Sequence, residues 1–242
     1  MIKFKDVTVE DKDLIQSFTL YGERQNCDLS FANLISWRFL YNTQFAVVED
    51  YLVFRFYTGR HLAYMMPVPR PRLRGDGSLG VEPCDECSAS VIRAIRDDSI
   101  AMGHPFLMLG VCNYMRDIIE KHFPDTFCIK PDRDYSDYIY LRDKLVNLSG
   151  KKLQSKRNHI NKFKSLYPDY EYRELTPELI PQCLEVERQW RAVSKEDNSD
   201  EPDEELSEEL RSMTRAFNRW DKLGLTGGAI FVDGRMVAFT YG

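Results

Sequence analysis

Apolar and polar residues alternate in "IKFKDVT", Ile2 to Thr8, and then fall at helical spacing in "VEDKDLIQSFTLYG", Val9 to Gly22. The pattern predicts a strand and then a helix that Gly22 stops. A second helix is predicted over "DLSFANLISWRFLYN", Asp28 to Asn42, with Asp28 or Ser30 as N-cap. Three short strands follow, "FAVVE", "YLVFRFY" and "HLAYMMPV", with turns at Asp50 and at Thr58-Gly59. Beyond a Pro- and Gly-rich loop, helical spacing over Glu86 to Gly103 leads into the apolar run "PFLMLGV" and a helix from Asn113 to Phe123. "TFCIKP" and "DYIYL" read as closing strands.

The second half begins the same order again. "YEYREL" alternates like a strand, and "TPELIPQCLEVERQWRAV" is a helix with Thr176 as N-cap and Pro177 at its first position. "SEELRSMTRAFNRWDKLG" is a further helix closed by Gly224, and "GGAIFVDGRMVAFTYG" a hairpin whose Asp233-Gly234 pair suits a type I′ turn. No residue-by-residue repeat is visible. What repeats is strand, helices, then antiparallel strands, and that order resembles the opening of the GNAT acyltransferase fold. The resemblance implies an α/β (α+β) chain of tandem GNAT-like domains with mixed sheets. Its divisions are an N-terminal domain over 1–145, a basic linking helix over 146–168, and the start of a second domain over 169–242. By comparison with the first half, roughly 60 further residues would finish that second domain, so the order reads as truncated.

Hydrophobic residues at 43% and charged residues at 29% describe a soluble globular chain. No window reaches the roughly 18–20 apolar residues of a membrane helix, and acids appear early, from Asp6, which predicts a cytoplasmic protein. The six cysteines, 27, 84, 87, 112, 128 and 183, sit scattered and mostly in apolar runs, which predicts reduced thiols.

A net charge of −5 gives no general affinity for polyanions, so any such affinity is local. The charge is segregated. "LSGKKLQSKRNHINKF", residues 148–163, carries five Lys or Arg and no acid, whereas Glu196 to Glu209 is strongly acidic. On a helix, Leu153, Ile160 and Tyr167 share a face expected to meet a core, with Phe163 at its flank. Arg157 projects within roughly 40° of that stripe, where a long cation either snorkels or finds an anion. One reading is a solvated basic helix that joins the halves. The other is an anion site in the gap between them, in which Ser149 and Gly150 open the helix and Lys151, Lys152, Lys156, Arg157 and Asn158 hold a phosphate.

"SDYIYLRDKLVNLSGKKLQSKRNHINKF", Ser136 to Phe163, and "DLSFANLISWR", Asp28 to Arg38, resemble a bacterial family of uncharacterised proteins. That family is related to the C-terminal catalytic domain of phosphatidylglycerol lysyltransferases. The resemblance implies an aminoacyl-tRNA donor and a lipid or amine acceptor. It also implies transfer of an aminoacyl or acyl group, with the donor phosphates on the basic helix. The lysyltransferases proper carry a multi-helix membrane region, which this sequence lacks. The alternatives are a non-catalytic module that binds tRNA or another phosphate-bearing ligand, and a structural adaptor.

The remaining motifs are thinner. "RLRGDG" fits R-x-x-G-x-G through Arg72, Gly75 and Gly77, a pattern with which GNAT enzymes cradle acyl-CoA, but "SLGVEPCDEC" intervenes where the helix should begin at once. Cys84 and Cys87 form a lone C-x-x-C at a helix start, where redox or metal work competes with incidental placement. His61, His104, His122 and His159 form no ligand array, and no metal site is expected. Trp37, Trp190 and Trp220 are expected in cores. No general base is singled out by spacing, so the catalytic residues are left open.

Overall fold

The computed structural model describes residues 1–21, 26–81, 84–197 and 203–242; Gly22 and positions 198–202 of the acidic run lie outside them. The chain divides into two compact units, Met1–Asp137 and Tyr138–Gly242.

The first unit opens with β1 (Lys5–Asp6), then helices α1 (Lys12–Thr19), α2 (Phe31–Ser36) and α3 (Arg38–Tyr41). The predicted helix over 28–42 is therefore two short ones broken at Trp37. Ser30 is the cap, its hydroxyl accepting the Asn33 N–H at 3.4 Å. Strands β2 (Gln44–Val48), β3 (Tyr51–Thr58) and β4 (His61–Met65) form an antiparallel meander. The predicted "HLAYMMPV" strand ends early at Met65, and its last residue, Val68, with Pro69 forms β5 (Val68–Pro69), which folds back on β3.

A small hairpin, β6 (Arg72–Leu73) and β7 (Leu79–Gly80), leads into α4 (Asp85–Ala101), β8 (Met108–Leu109) and α5 (Asn113–His122). β8 runs parallel to β4 and pairs with it only at Tyr64↔Met108 and Met65↔Leu109, so the main sheet is mixed, in the order β1-β2-β3-β4-β8. α4 packs on this sheet through Val91 and Ile95, against Tyr51, Val53, Leu62 and Tyr64. Its neighbouring face, Ala89 and Ile92, meets Met115, Ile118 and Ile119 of α5. α1 and α2 bury Ile15, Phe18, Phe31, Leu34 and Ile35. Each such side chain contributes about 1.5–3 kcal/mol when fully buried.

The two closing strands do not form. Residues 126–131 and 137–141 join no sheet among the described residues. Tyr138, Ile139, Tyr140 and Leu141 are all exposed, Tyr138 by 84%. Alternation marks a segment able to sit on a sheet, but a strand needs a neighbour's N–H and C=O groups, and neither segment pairs with any among the described residues.

The second unit comprises α6 (Arg142–Asn147), a 3₁₀ turn at Lys151–Leu153, α7 (Gln154–Leu166), β9 (Glu171–Glu174), a second 3₁₀ turn at Pro177–Leu179, α8 (Ile180–Asp197), α9 (Asp203–Phe217), α10 (Trp220–Leu223), β10 (Gly227–Val232) and β11 (Arg235–Tyr241). Its antiparallel sheet runs β11-β10-β9. Asp233 and Gly234 both take positive φ, 50° and 75°, as a type I′ turn requires, and glycine adopts that conformation without a Cβ penalty. Cys183, Met213, Phe217 and Trp220 from the helices are buried, as are Ala229, Phe231 and Met236 of the hairpin, and the Phe217 ring lies 4.8 Å from that of Tyr241. Trp190 is 55% exposed, so the core expectation fails for it, while Trp220 is buried and Trp37 half-buried.

Candidate functional site

The 23 residues from Arg142 to Lys164 hold eight Lys or Arg against one acid, Asp143. α6 ends when Leu148 enters the left-handed region at φ 45°, ψ 38°. Two residues on, Gly150 takes φ 92° and ψ 163°, a conformation open essentially to glycine alone. A β-carbon there would touch nothing, so the backbone angle and not space selects the residue. This double bend launches the 3₁₀ turn and α7.

Arg157 braces the bend. One terminal nitrogen of its half-buried guanidinium donates to the carbonyls of Leu148 and Gly150, the latter at 3.0 Å. The other terminal nitrogen donates to Oε1 of Gln154. The position near the apolar stripe is thus explained by carbonyl groups of its own chain, a partner that the helical-wheel argument did not consider. Asn158 is likewise engaged, its Oδ1 accepting from the Gln154 amide at 2.9 Å. Lys151, Lys152 and Lys156 are exposed, and among the described residues none of the three is in an ion pair. The bend therefore presents three uncommitted ammonium groups around the first turns of a helix whose N-terminal end favours anions.

Arg157→Ala is expected to remove three donors from the bend and destabilise it locally by about 1–3 kcal/mol, since two carbonyls lose a charged donor. Arg157→Lys, which cannot fork, should recover only part of this. Amide hydrogen exchange at residues 151–155 should quicken by about tenfold in the Ala variant while exchange in α4 stays unchanged.

The stripe expected to face a core does not: α7 has no buried residue, and Ile160 and Tyr167 are each 43% exposed. Phe163 is half-buried, with its ring 5.2 Å from Tyr167 and 5.5 Å from Tyr170. Beside it lies a groove of about 750 Å³, walled by Phe163 and Tyr167 on one side and by Ile230, Val232, Val237 and Ala238 of the hairpin on the other, with Asp233 and Arg235 also lining it. Sequence reasoning did not find this groove. The available signal was that the hairpin is apolar on both of its faces.

The other sequence candidates belong to the first unit. Arg72, Gly75 and Gly77 lie at the β6–β7 hairpin, and Arg72 pairs with Asp50 at 3.0 Å. The Gly77 N–H donates to the Arg74 carbonyl and the Ser78 N–H to Asp76, so these donors are spent within the turn. No group of three or more His, Cys, Asp or Glu is placed to hold a metal among the described residues.

Two of the cysteines correct the expectation of reduced thiols: Cys84 and Cys87 form a disulfide. Cys27, Cys112, Cys128 and Cys183 are free. A hydrogen bond to Asp137, with burial and the nearby Asp28 carboxylate, pushes the Cys27 thiol up to about 11. Raising a thiol keeps it protonated at neutral pH, so Cys27 should alkylate slowly although exposed, its rate climbing only as pH approaches 11. Asp137→Asn should speed its alkylation at mildly alkaline pH by about tenfold or more, as read by peptide mass mapping.

No helix among the described residues is long and apolar enough to cross a membrane. The model of the phosphatidylglycerol lysyltransferase C-terminal family matches residues 20–242. A crystal structure of a conserved protein of unknown function from Bacteroides thetaiotaomicron VPI-5482 is 47% identical and superposes with a TM-score of 0.86, the match covering 100% of this chain and 75% of that one. No curated protein matches. The chain belongs to the phosphatidylglycerol lysyltransferase C-terminal family.

Proposed function

We propose that the protein is an aminoacyl- or acyltransferase built from tandem GNAT-like domains, with its donor's phosphates held by Lys151, Lys152 and Lys156. The observation that carries this reading is the braced bend at 148–150, which spends Arg157 on the backbone and leaves the three lysines free. Family membership supports the reaction class. The tandem architecture is supported by the element order in both units and by the short parallel pairing of β4 with β8, which leaves the two strands free to diverge. In this reading the donor is an aminoacyl-tRNA, whose phosphates suit a lysine cluster, in preference to acyl-CoA at the committed turn of Arg72, Gly75 and Gly77.

The groove beside Phe163 lies about 18 Å along the helix from Lys151, at 1.5 Å per residue. It suits the apolar part of a lipid or amine acceptor. The acceptor's amine or hydroxyl attacks the donor's ester carbonyl, and the tRNA ribose leaves with the proton. Backbone N–H groups in the sheet stabilise the oxyanion.

The reaction class is tested by incubating the protein with tRNA charged with a labelled amino acid, in the presence of phosphatidylglycerol vesicles or a simple amine. Label moving to either acceptor, and lost in the triple Lys→Ala variant, is the expected result; label remaining on tRNA rejects transfer. A non-catalytic role is the second reading, favoured by one observation: Arg157 is used as an internal brace, as a strut would use it. In that reading tRNA still binds while no label moves, or, for a purely structural adaptor, tRNA does not bind.

A further inference from the structure

The C-x-x-C pair lies outside the site described above and is built in a way that incidental cysteines would not require. Cys84 is the N-cap of the 17-residue helix α4, and its Sγ accepts the N–H of Cys87 at 3.2 Å. The two Cα atoms are 5.2 Å apart and the sulfurs are bonded. A sulfur at this position faces the unsatisfied N–H groups and positive end of the helix, the arrangement that favours a thiolate.

A second feature comes from a different element. The intervening residues Asp85 and Glu86 would oppose a thiolate by their charge, but the end of α5 is set against them. Lys121 pairs with Asp85 at 2.6 Å, and Nδ1 of His122 lies 3.8 Å from Glu86. The His122 side chain is only 11% exposed, and its buried Nε2 has no hydrogen-bond partner among the described residues. Lys121 holds the Asp85 carboxyl below its ordinary value. The two sulfurs are also unequal. Cys87 packs against the apolar cluster of Tyr51, Val53, Leu62, Tyr64, Val91 and Ile95, whereas Cys84 sits at the helix cap ahead of it.

We infer that Cys84 and Cys87 are a redox-active dithiol–disulfide site that exchanges with an external thiol, Cys84 being the sulfur that external groups reach. In the reducing direction a thiolate RS⁻ attacks Cys84 Sγ. The Cys84–Cys87 bond breaks, a Cys84–SR bond forms, and Cys87 leaves as a thiolate that takes up a proton. A second RS⁻ attacks the sulfur of the bound R group, releasing RSSR and the Cys84 thiolate at the helix cap. Two external thiols are oxidised, and the protein disulfide gains the two electrons. The co-reactant is a low-molecular-weight thiol or an exposed protein thiol; glutathione is the probe for the class.

The full chain is equilibrated with mixtures of reduced and oxidised glutathione, quenched with a maleimide, and read by intact and peptide mass. The expected result is reversible conversion, with labels gained at Cys84 and Cys87 on reduction while helix content stays constant. Cys87→Ser treated with oxidised glutathione should acquire a mixed disulfide at Cys84 at least about tenfold faster than Cys84→Ser acquires one at Cys87. Serine caps helices well, so Cys84→Ser keeps the cap. Should either variant misfold, mapping the transient mixed disulfide on the unsubstituted chain gives the same comparison. A pair that stays oxidised in excess reduced glutathione until the fold is lost overturns the proposal and leaves a structural staple. Equal reaction at the two sulfurs, or a mixed disulfide mapped to Cys87, overturns the assignment of Cys84.

Discussion

Replacing Asp98 by alanine is expected to destabilise the first unit by about 3–5 kcal/mol, the cost of removing one partner from a buried ion pair. The Asp98 side chain, on α4, is 1% exposed. It accepts the Ile2 backbone N–H at 2.8 Å, the Tyr64 hydroxyl at 2.9 Å and the Arg55 guanidinium at 3.2 Å. Those three donors come from the N-terminal segment, β4 and β3, so one carboxylate ties the helix to two strands and to the start of the chain. Arg55 also lies over the Phe4 ring at 4.2 Å, which holds the guanidinium in place. Without the carboxylate, the fully buried Tyr64 loses the acceptor of its hydroxyl, and Arg55 loses its carboxylate and keeps the Gln44 amide oxygen. The hydroxyl of Tyr64 is pushed up by burial and by the Asp98 hydrogen bond, so it remains a donor throughout the physiological range.

Asp98→Asn keeps one acceptor oxygen but loses the charge, and should cost roughly half as much. Urea unfolding of parent and variants measures the difference. Hydrogen exchange should place the loss in β3, β4 and α4, and leave the hairpin of the second unit at its parental rate.

The second large effect belongs to the helix. Changing Lys151, Lys152 and Lys156 together to alanine should weaken tRNA binding by at least about tenfold at low salt. It should also flatten the dependence of log K on log salt by about 2 to 3, since each phosphate contact contributes roughly 0.7 to 0.9 to the slope. These side chains are exposed and unpaired among the described residues, so their loss should not alter the thermal midpoint. That separation between binding and stability distinguishes the lysines from Arg157, whose removal should affect the bend first.

Where local chemistry decides the outcome, the sequence was legible. Ser30 caps α2, Thr176-Pro177 opens the 3₁₀ turn that leads into α8, Gly224 ends α10 at φ 71°, and Asp233-Gly234 makes the hairpin turn. Each is a statement about one backbone group and one side chain. The two closing strands failed because strand pairing is a property of two segments, and alternation in "DYIYL" describes only one. The single helix over 28–42 failed for a related reason. Its apolar spacing continued, but the backbone bends at Trp37 so that two short helices form in place of one.

At the candidate site, charge segregation marked a segment but not the division of labour within it. The basic run is legible as composition. That Arg157 is consumed by the Leu148 and Gly150 carbonyls depends on a left-handed residue nine positions away, which no helical wheel contains. C-x-x-C spacing permits a bond without requiring one, so the oxidation state of Cys84 and Cys87 was out of reach of spacing alone.

The claim on which the functional account rests is that the lysines of the bend hold an anion while Arg157 holds the bend. Titrating tRNA into the parent and into the triple lysine variant, each at two salt concentrations, tests it directly. Salt-sensitive binding by the parent, with both affinity and salt slope reduced in the variant, is the predicted result. Binding of equal strength and equal slope in the two proteins, or no binding by the parent, contradicts it.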